Sequence, residues 1–300
     1  MTGLGLNPIR AATMGVADLE AAIGRFGSYF DYYQVEAGTV STRLAEILGA
    51  PGLVGAAQAV LRPASQRKTD LRLIQASPQS GPAIMASIGW TALEICVDDV
   101  HRAHARFATG PFEVIGPPSA IAGLPTIHPM QIEGPDGETI FLTQILTDDP
   151  AAGLPVVQAP VDTLFIVVLA CRDLAATAAW VERQLAAQVA PPVEIPYRTL
   201  SRAFGLPPDH RHTIATASRD GTIFLELDQY PAAAAARGRS ALGLTRGVAM
   251  VTLLHPDLDS VPGPWHIAPG LCDGAIYEGR RAGVLATPEG MLIELVEGTA

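Results

Sequence analysis

Two stretches, Ile9-Arg-Ala-Ala-Thr-Met-Gly-Val-Ala-Asp18 and Leu164-Phe-Ile-Val-Val-Leu-Ala-Cys-Arg-Asp173, decide how this chain is read. Each is a strand-like run that stops at an aspartate and continues into a helix. Leu19-Glu-Ala-Ala-Ile-Gly-Arg-Phe26 follows the first, and Trp180, Val181 and Leu185 recur at helical spacing after the second. Working outward, Leu44-Ala-Glu-Ile-Leu-Gly-Ala-Pro51 is matched by Leu200-Ser-Arg-Ala-Phe-Gly-Leu-Pro207, and Asp70-Leu-Arg-Leu-Ile-Gln75 by Phe224-Leu-Glu-Leu-Asp-Gln229. All three matches lie about 155 residues apart, so the chain is an internal repeat.

Each half holds a second copy of the plan. Thr91-Ala-Leu-Glu-Ile-Cys-Val-Asp-Asp99 runs into a helix through His101, Ala103 and Phe107, and Gly134-Pro-Asp-Gly137 turns into Thr139-Ile-Phe-Leu-Thr-Gln-Ile145. In the last quarter, Gly247 to Leu254 is closed by His255-Pro-Asp257, and Thr287-Pro-Glu-Gly290 turns into Met291-Leu-Ile-Glu-Leu-Val-Glu297. In such turns proline sets φ and glycine takes the positive φ. Pro256, Pro262 and Pro264 predict that the fourth helix is the weakest. The class is therefore α+β, with four strand–helix–three-strand modules at about 6–77, 87–146, 160–230 and 245–298. Pairing modules in chain order covers their bare sheet faces and predicts two half-open barrels, 1–148 and 156–300, joined by a linker from Thr147 to Val156.

Composition narrows the function classes. Of 300 residues, 48% are hydrophobic and 17% charged, which excludes a mainly disordered chain. The net charge of −10 and the lack of a Lys/Arg run argue against nucleic-acid or anionic-membrane partners. Lys68 is the only lysine, so Schiff-base chemistry is disfavoured. Cys96, Cys171 and Cys272 form no CxxC pair and predict neither a disulfide framework nor a zinc knuckle. The N-terminus lacks signal-peptide character, and the apolar run from Thr163 to Cys171 is too short to span a bilayer, so a cytoplasmic location is expected.

The pattern resembles the vicinal oxygen chelate superfamily of glyoxalases, bleomycin-resistance proteins and extradiol (dihydroxybiphenyl) dioxygenases. Asp18, Asp99 and Asp173 at the ends of first strands carry the likeness, with the GPDG and TPEG turns and the last strands that follow them. The resemblance implies four βαβββ modules paired into two half-open glyoxalase-like barrels. It also implies metal-ligand seats on first strands, usually His, seven residues before the aspartate, and on last strands, usually Glu. In this chain the first-strand seats hold Ala11, Ala92, Ile166 and Met250, and the last-strand seats hold Arg72, Phe141, Glu226 and Glu294. An Fe(II) triad of two His and one Glu has no counterpart among them. The expectation is accordingly no cofactor, with a divalent metal held weakly by Glu226 and Glu294 as the alternative.

If the barrels form in chain order, Glu226 and Glu294 meet across one unmetallated hollow. Two carboxylates cannot both stay ionised cheaply there, so one pKa rises and the pair becomes a general acid and base. The competing reading neutralises each glutamate with an arginine such as Arg198 or Arg202. In the first half, alternation puts Ala92, Glu94 and Cys96 on one face, expected to share a space with Arg72 and Phe141. Arg72 would anchor a carboxylate, phosphate or enolate poised by Glu94, and Phe141 would wall a ring or acyl chain. His128 is expected to rim that space. His210 and His212 share a face, and whether it is Glu226's depends on a hairpin register.

Two functions follow. One is an isomerase, epimerase or lyase moving a proton on a small, partly apolar, oxygenated substrate. The other is a non-catalytic protein that sequesters such a ligand, as bleomycin-resistance proteins do, and a ring-cleaving dioxygenase stands third. The expected partner is a small molecule, and the apolar composition is compatible with a homodimer.

Overall fold

The computed structural model describes residues 7–76, 81–121, 123–147, 149, 152–238 and 241–299. The first module runs β1 (Ile9–Val16), α1 (Leu19–Phe30), β2 (Tyr32–Thr39), α2 (Thr42–Ile47), β3 (Ala57–Pro63) and β4 (Asp70–Gln75). The second runs β5 (Gly89–Val97), α3 (Val100–Phe107), β6 (Glu113–Gly116), β7 (Ile127–Glu133) and β8 (Thr139–Ile145). The third comprises β9 (Val161–Cys171), α4 (Leu174–Leu185), β10 (Gln188–Val189), β11 (Val193–Pro196), α5 (Arg198–Ala203), β12 (Arg211–Arg219) and β13 (Thr222–Gln229). The fourth has β14 (Val248–His255), β15 (Ile267–Leu271), β16 (Arg281–Ala286) and β17 (Leu292–Glu297).

The aspartates that end the first strands are helix caps. Asp18, Asp99 and Asp173 each accept a hydrogen bond from a first-turn amide of the helix that follows, which satisfies a donor the helix leaves open. Asp257 does the same, but for a single 3₁₀ turn, Leu258–Ser260, because the prolines on either side forbid more. The fourth helix is thus as short as the sequence predicts.

Within every module the first strand lies parallel to the last, as β1 with β4, β5 with β8, β9 with β13 and β14 with β17. The modules join edge to edge through their first strands, antiparallel, as β1 with β14 and β5 with β9. The first module therefore pairs with the fourth in an eight-stranded sheet, and the second with the third in a nine-stranded sheet. This corrects the expected domains, 1–148 and 156–300. All four first strands are buried along their whole length, so sequence burial alone does not say which free edge meets which. The first and second modules do touch, but through helices: Phe30 of α1 meets Phe107 of α3 with ring centroids 4.9 Å apart.

Alternation divides each sheet. The outer faces carry α1, α3 and α4 and share one continuous core, with Met14, Leu71, Leu93, Ile95, Val167 and Leu253 among its members. The inner faces carry the ligand seats and are covered by the short helices α2 and α5, whose Leu44 and Leu200 are buried against them. Among the described residues, no helix is long and apolar enough to cross a membrane.

Candidate active site

The inner face of the second-and-third-module half-barrel is built by register. Glu94 on β5 is paired with Phe141 on β8 and Ile166 on β9, and Glu226 on β13 with Val168 on β9 and Thr216 on β12. Asp228, two residues beyond Glu226, falls on the same face opposite Ile214. Ala92, Cys96, Phe141, Ile166 and Val168 form the apolar floor. Three carboxyls thus stand on a largely hydrocarbon surface, and none is ion-paired to a described Lys, Arg or His.

Their electrostatics follow from that placement. Burial pushes Glu94 up to about 8, and the charge of Glu226 adds to it, against the Thr143 hydroxyl, which donates to Oε1 at 2.5 Å. Burial also pushes Glu226 well above the carboxylate range, with Asp228 adding to the rise. Asp228, pushed to about 7 chiefly by burial, has neither oxygen bonded to any described N–H or to a hydroxyl. Its near neighbour is the Glu226 carboxyl, which lies within hydrogen-bonding reach. Two ionised carboxylates that close repel by roughly 4 kcal/mol at an effective dielectric near 20, so the pair holds one proton between them.

Other polar groups surround the carboxyls. The hydroxyls of Tyr197 and Tyr230 are buried and find no partner among the described residues. Arg237 donates from Nε to the Ile88 carbonyl at 3.2 Å, while its buried Nη1 is unpartnered. Burial lowers this guanidinium to about 10. His212 is on this inner face, because the hairpin register sets it in alternation with Ile214 and Thr216. Its Nε2 pairs with the Ser201 hydroxyl at 2.9 Å, and burial, helped by His210, lowers its pKa.

Glu294 is elsewhere. It lies in the first-and-fourth-module half-barrel, on β17 beside Thr252, and accepts from the Thr252 hydroxyl at 2.8 Å and the Tyr277 hydroxyl at 3.0 Å. The expected meeting of Glu226 and Glu294 is therefore corrected, because each belongs to a different sheet. A metal shared by those two glutamates is ruled out on the same ground. Arg72 also belongs to this second face, next to Glu294, and not with Glu94 and Phe141 as expected. His128 is on the outer side of its sheet, since its partner Gln144 alternates with Thr143, and its ring nitrogen meets the Pro125 carbonyl at 3.0 Å. Arg202, expected as a clamp, donates instead to the Ile115 carbonyl. Reading Glu226-Leu-Asp228 by strand alternation would have found the carboxyl that does face Glu226. Nothing in the sequence announced Tyr197, Tyr230 or Tyr277.

No protein-family model matches the chain, and no curated protein matches it in sequence. Solved structures do match in shape. Glyoxalase I from Zea mays superposes with a TM-score of 0.65 at 17% identity, over 97% of this chain and 92% of that one. A candidate dioxygenase from Bacillus subtilis gives a TM-score of 0.58 at 12% identity, over 98% and 86%. The chain has a glyoxalase-like fold. The first-strand positions expected as metal seats carry no ligating side chain. Ala11, Ala92, Ile166 and Met250 are buried apolar side chains, and Arg72 brings a positive charge where a cation would stand. Among the described residues, no three His, Cys, Asp or Glu side chains gather as a ligand set.

Proposed function

We propose that the second-and-third-module half-barrel is a proton-transfer site that acts, without a metal, on a small, partly apolar, oxygenated substrate. The activity is that of an isomerase, epimerase or lyase. The observation that carries this reading is a trio of carboxyls on an apolar inner face, buried Glu94 and Asp228 with half-buried Glu226, none of them paired with a described Lys or Arg. Solvent and substrate reach Glu226, which is only half-buried, whereas Asp228 is fully buried behind it.

The step runs as follows. The Glu226–Asp228 pair works with one proton between them: as that proton passes from Glu226 to Asp228, Glu226 takes a proton from carbon next to a substrate carbonyl. The C–H electron pair moves toward the carbonyl oxygen, and that oxygen takes a hydrogen bond from neutral Glu94 or from the Tyr197 or Tyr230 hydroxyl. Returning the proton to a different carbon, or to the other face of the same one, gives the isomer or epimer. Expulsion of a β-substituent gives the lyase outcome. Phe141 and Ile166 hold the apolar part of the substrate and keep water from the intermediate.

The test is exchange in D₂O. A panel of α-hydroxy ketones, 2-oxo acids and hydroxylated aromatics is incubated with the protein, and loss of C–H signal is followed by proton NMR. Enzyme-dependent exchange that Glu226→Gln abolishes supports the proposal. Saturable binding with no exchange across the panel supports the sequestering function instead, which the apolar floor alone would serve.

A further inference from the structure

The other half-barrel has a polar arrangement of its own. Arg72 is 4% exposed, and its guanidinium bonds only through Nη2, which donates to the Tyr277 hydroxyl at 2.9 Å. The carbon of that guanidinium lies 5.2 Å from the centre of the Tyr277 ring. Its Nε and Nη1 are buried and find no acceptor among the described residues. Thr13, the register partner of Arg72 on β1, is fully buried on the same face, and its hydroxyl is likewise unpartnered. Glu294 lies near enough for its charge to act on Arg72, but it accepts from Thr252 and Tyr277 and makes no hydrogen bond to the open donors. A buried guanidinium with open N–H groups is costly unless an acceptor completes it. Around it the face is apolar, with Val60, Met250, Leu254 and Ile276 buried beside it.

We propose that this inner face is a second ligand site, which binds a small monocarboxylate with an apolar body, its carboxylate on Arg72 and Thr13. A planar carboxylate matches the guanidinium fork. A dianionic phosphate fits less well, since Glu294 already supplies one negative charge nearby. The site is separate from the proton-transfer face on the other sheet and does not depend on it.

The test uses full-length protein with ¹⁵N-labelled arginine, titrated with benzoate and, separately, inorganic phosphate. The Arg72 Nε–H resonance is identified by its loss in Arg72→Lys. Benzoate shifts that resonance saturably, and phosphate at the same concentrations leaves it in place. Thr13→Val, which keeps the shape and removes the hydroxyl, weakens benzoate about three- to tenfold. Glu226→Gln leaves benzoate binding unchanged, so the outcome is separable from that of the D₂O exchange assay. An Arg72 signal that benzoate does not move overturns the proposal. So does a benzoate response that Glu226→Gln abolishes and Thr13→Val does not touch, or an equal response to phosphate.

Discussion

Replacing Glu94 with glutamine isolates the energetic cost of the carboxyl trio. Folding carries the Glu94 pKa from an ordinary 4.5 to about 8, first through burial and then through Glu226. Below pH 4.5 both folded and unfolded chains hold the proton and nothing is lost. As pH rises, the unfolded chain releases it first, so the folded state binds more protons and stability falls until pH passes about 8. At about 1.36 kcal/mol per pKa unit, the full separation is worth about 5 kcal/mol above that pH, of which about 4 kcal/mol develops between pH 5 and 8.5. Glu94→Gln keeps the shape, still accepts from Thr143, and cannot ionise. Urea unfolding of both proteins at intervals from pH 5 to 8.5 measures the difference. The variant is expected to gain on the parent as pH rises, by up to about 4 kcal/mol across that range. Parallel curves, separated by a constant offset, would refute the claim that Glu94 is held protonated by its burial.

The remaining expectations concern the same groups and one structural anchor. Glu226→Gln and Asp228→Asn each reduce proton exchange by about 10²- to 10⁴-fold while keeping the fold, as thermal melts and exchange rates together will show. In the parent, the exchange rate against pH is a bell, rising as Asp228 loses its proton near 7 and falling as Glu94 loses its own near 8. Exchange in protein treated with a chelator equals that in untreated protein, and Mn²⁺ or Ni²⁺ shifts the melting temperature by less than a degree or so, since the seats hold Ala, Ile and Met. Asp70→Asn destabilises by about 3–5 kcal/mol in denaturant titrations. It strips the shared partner of Arg10, at 2.7 Å, and of Arg62, bonded twice at 2.8 Å, and leaves a buried charge unmatched.

Much of the architecture was legible because its signals are local. An aspartate capping a helix, a Pro-Asp-Gly turn and a run of alternating residues are each written within a dozen positions. The modules and the shared face of Glu94 and Phe141 came from such signals. The meeting of β1 with β14 is a different kind of fact. It joins residues more than 200 positions apart through an apolar edge that β5 and β9 present equally well, so periodicity carries no preference. That one ambiguity moved Glu294 and Arg72 to the wrong hollow. The face of His212 waited on a hairpin register, and Asp228 went unread although it stands two positions from Glu226 on the same strand.

The nesting of one half-barrel inside the sequence of the other has a consequence for synthesis. The inner pair, second module with third, is complete when the ribosome has passed Gln229. The first module emerges before the other three and waits for the fourth, with the edge of β1 open until then. Truncation within the fourth module would strand that edge permanently, leaving the second-and-third-module half paired and the first module adhesive.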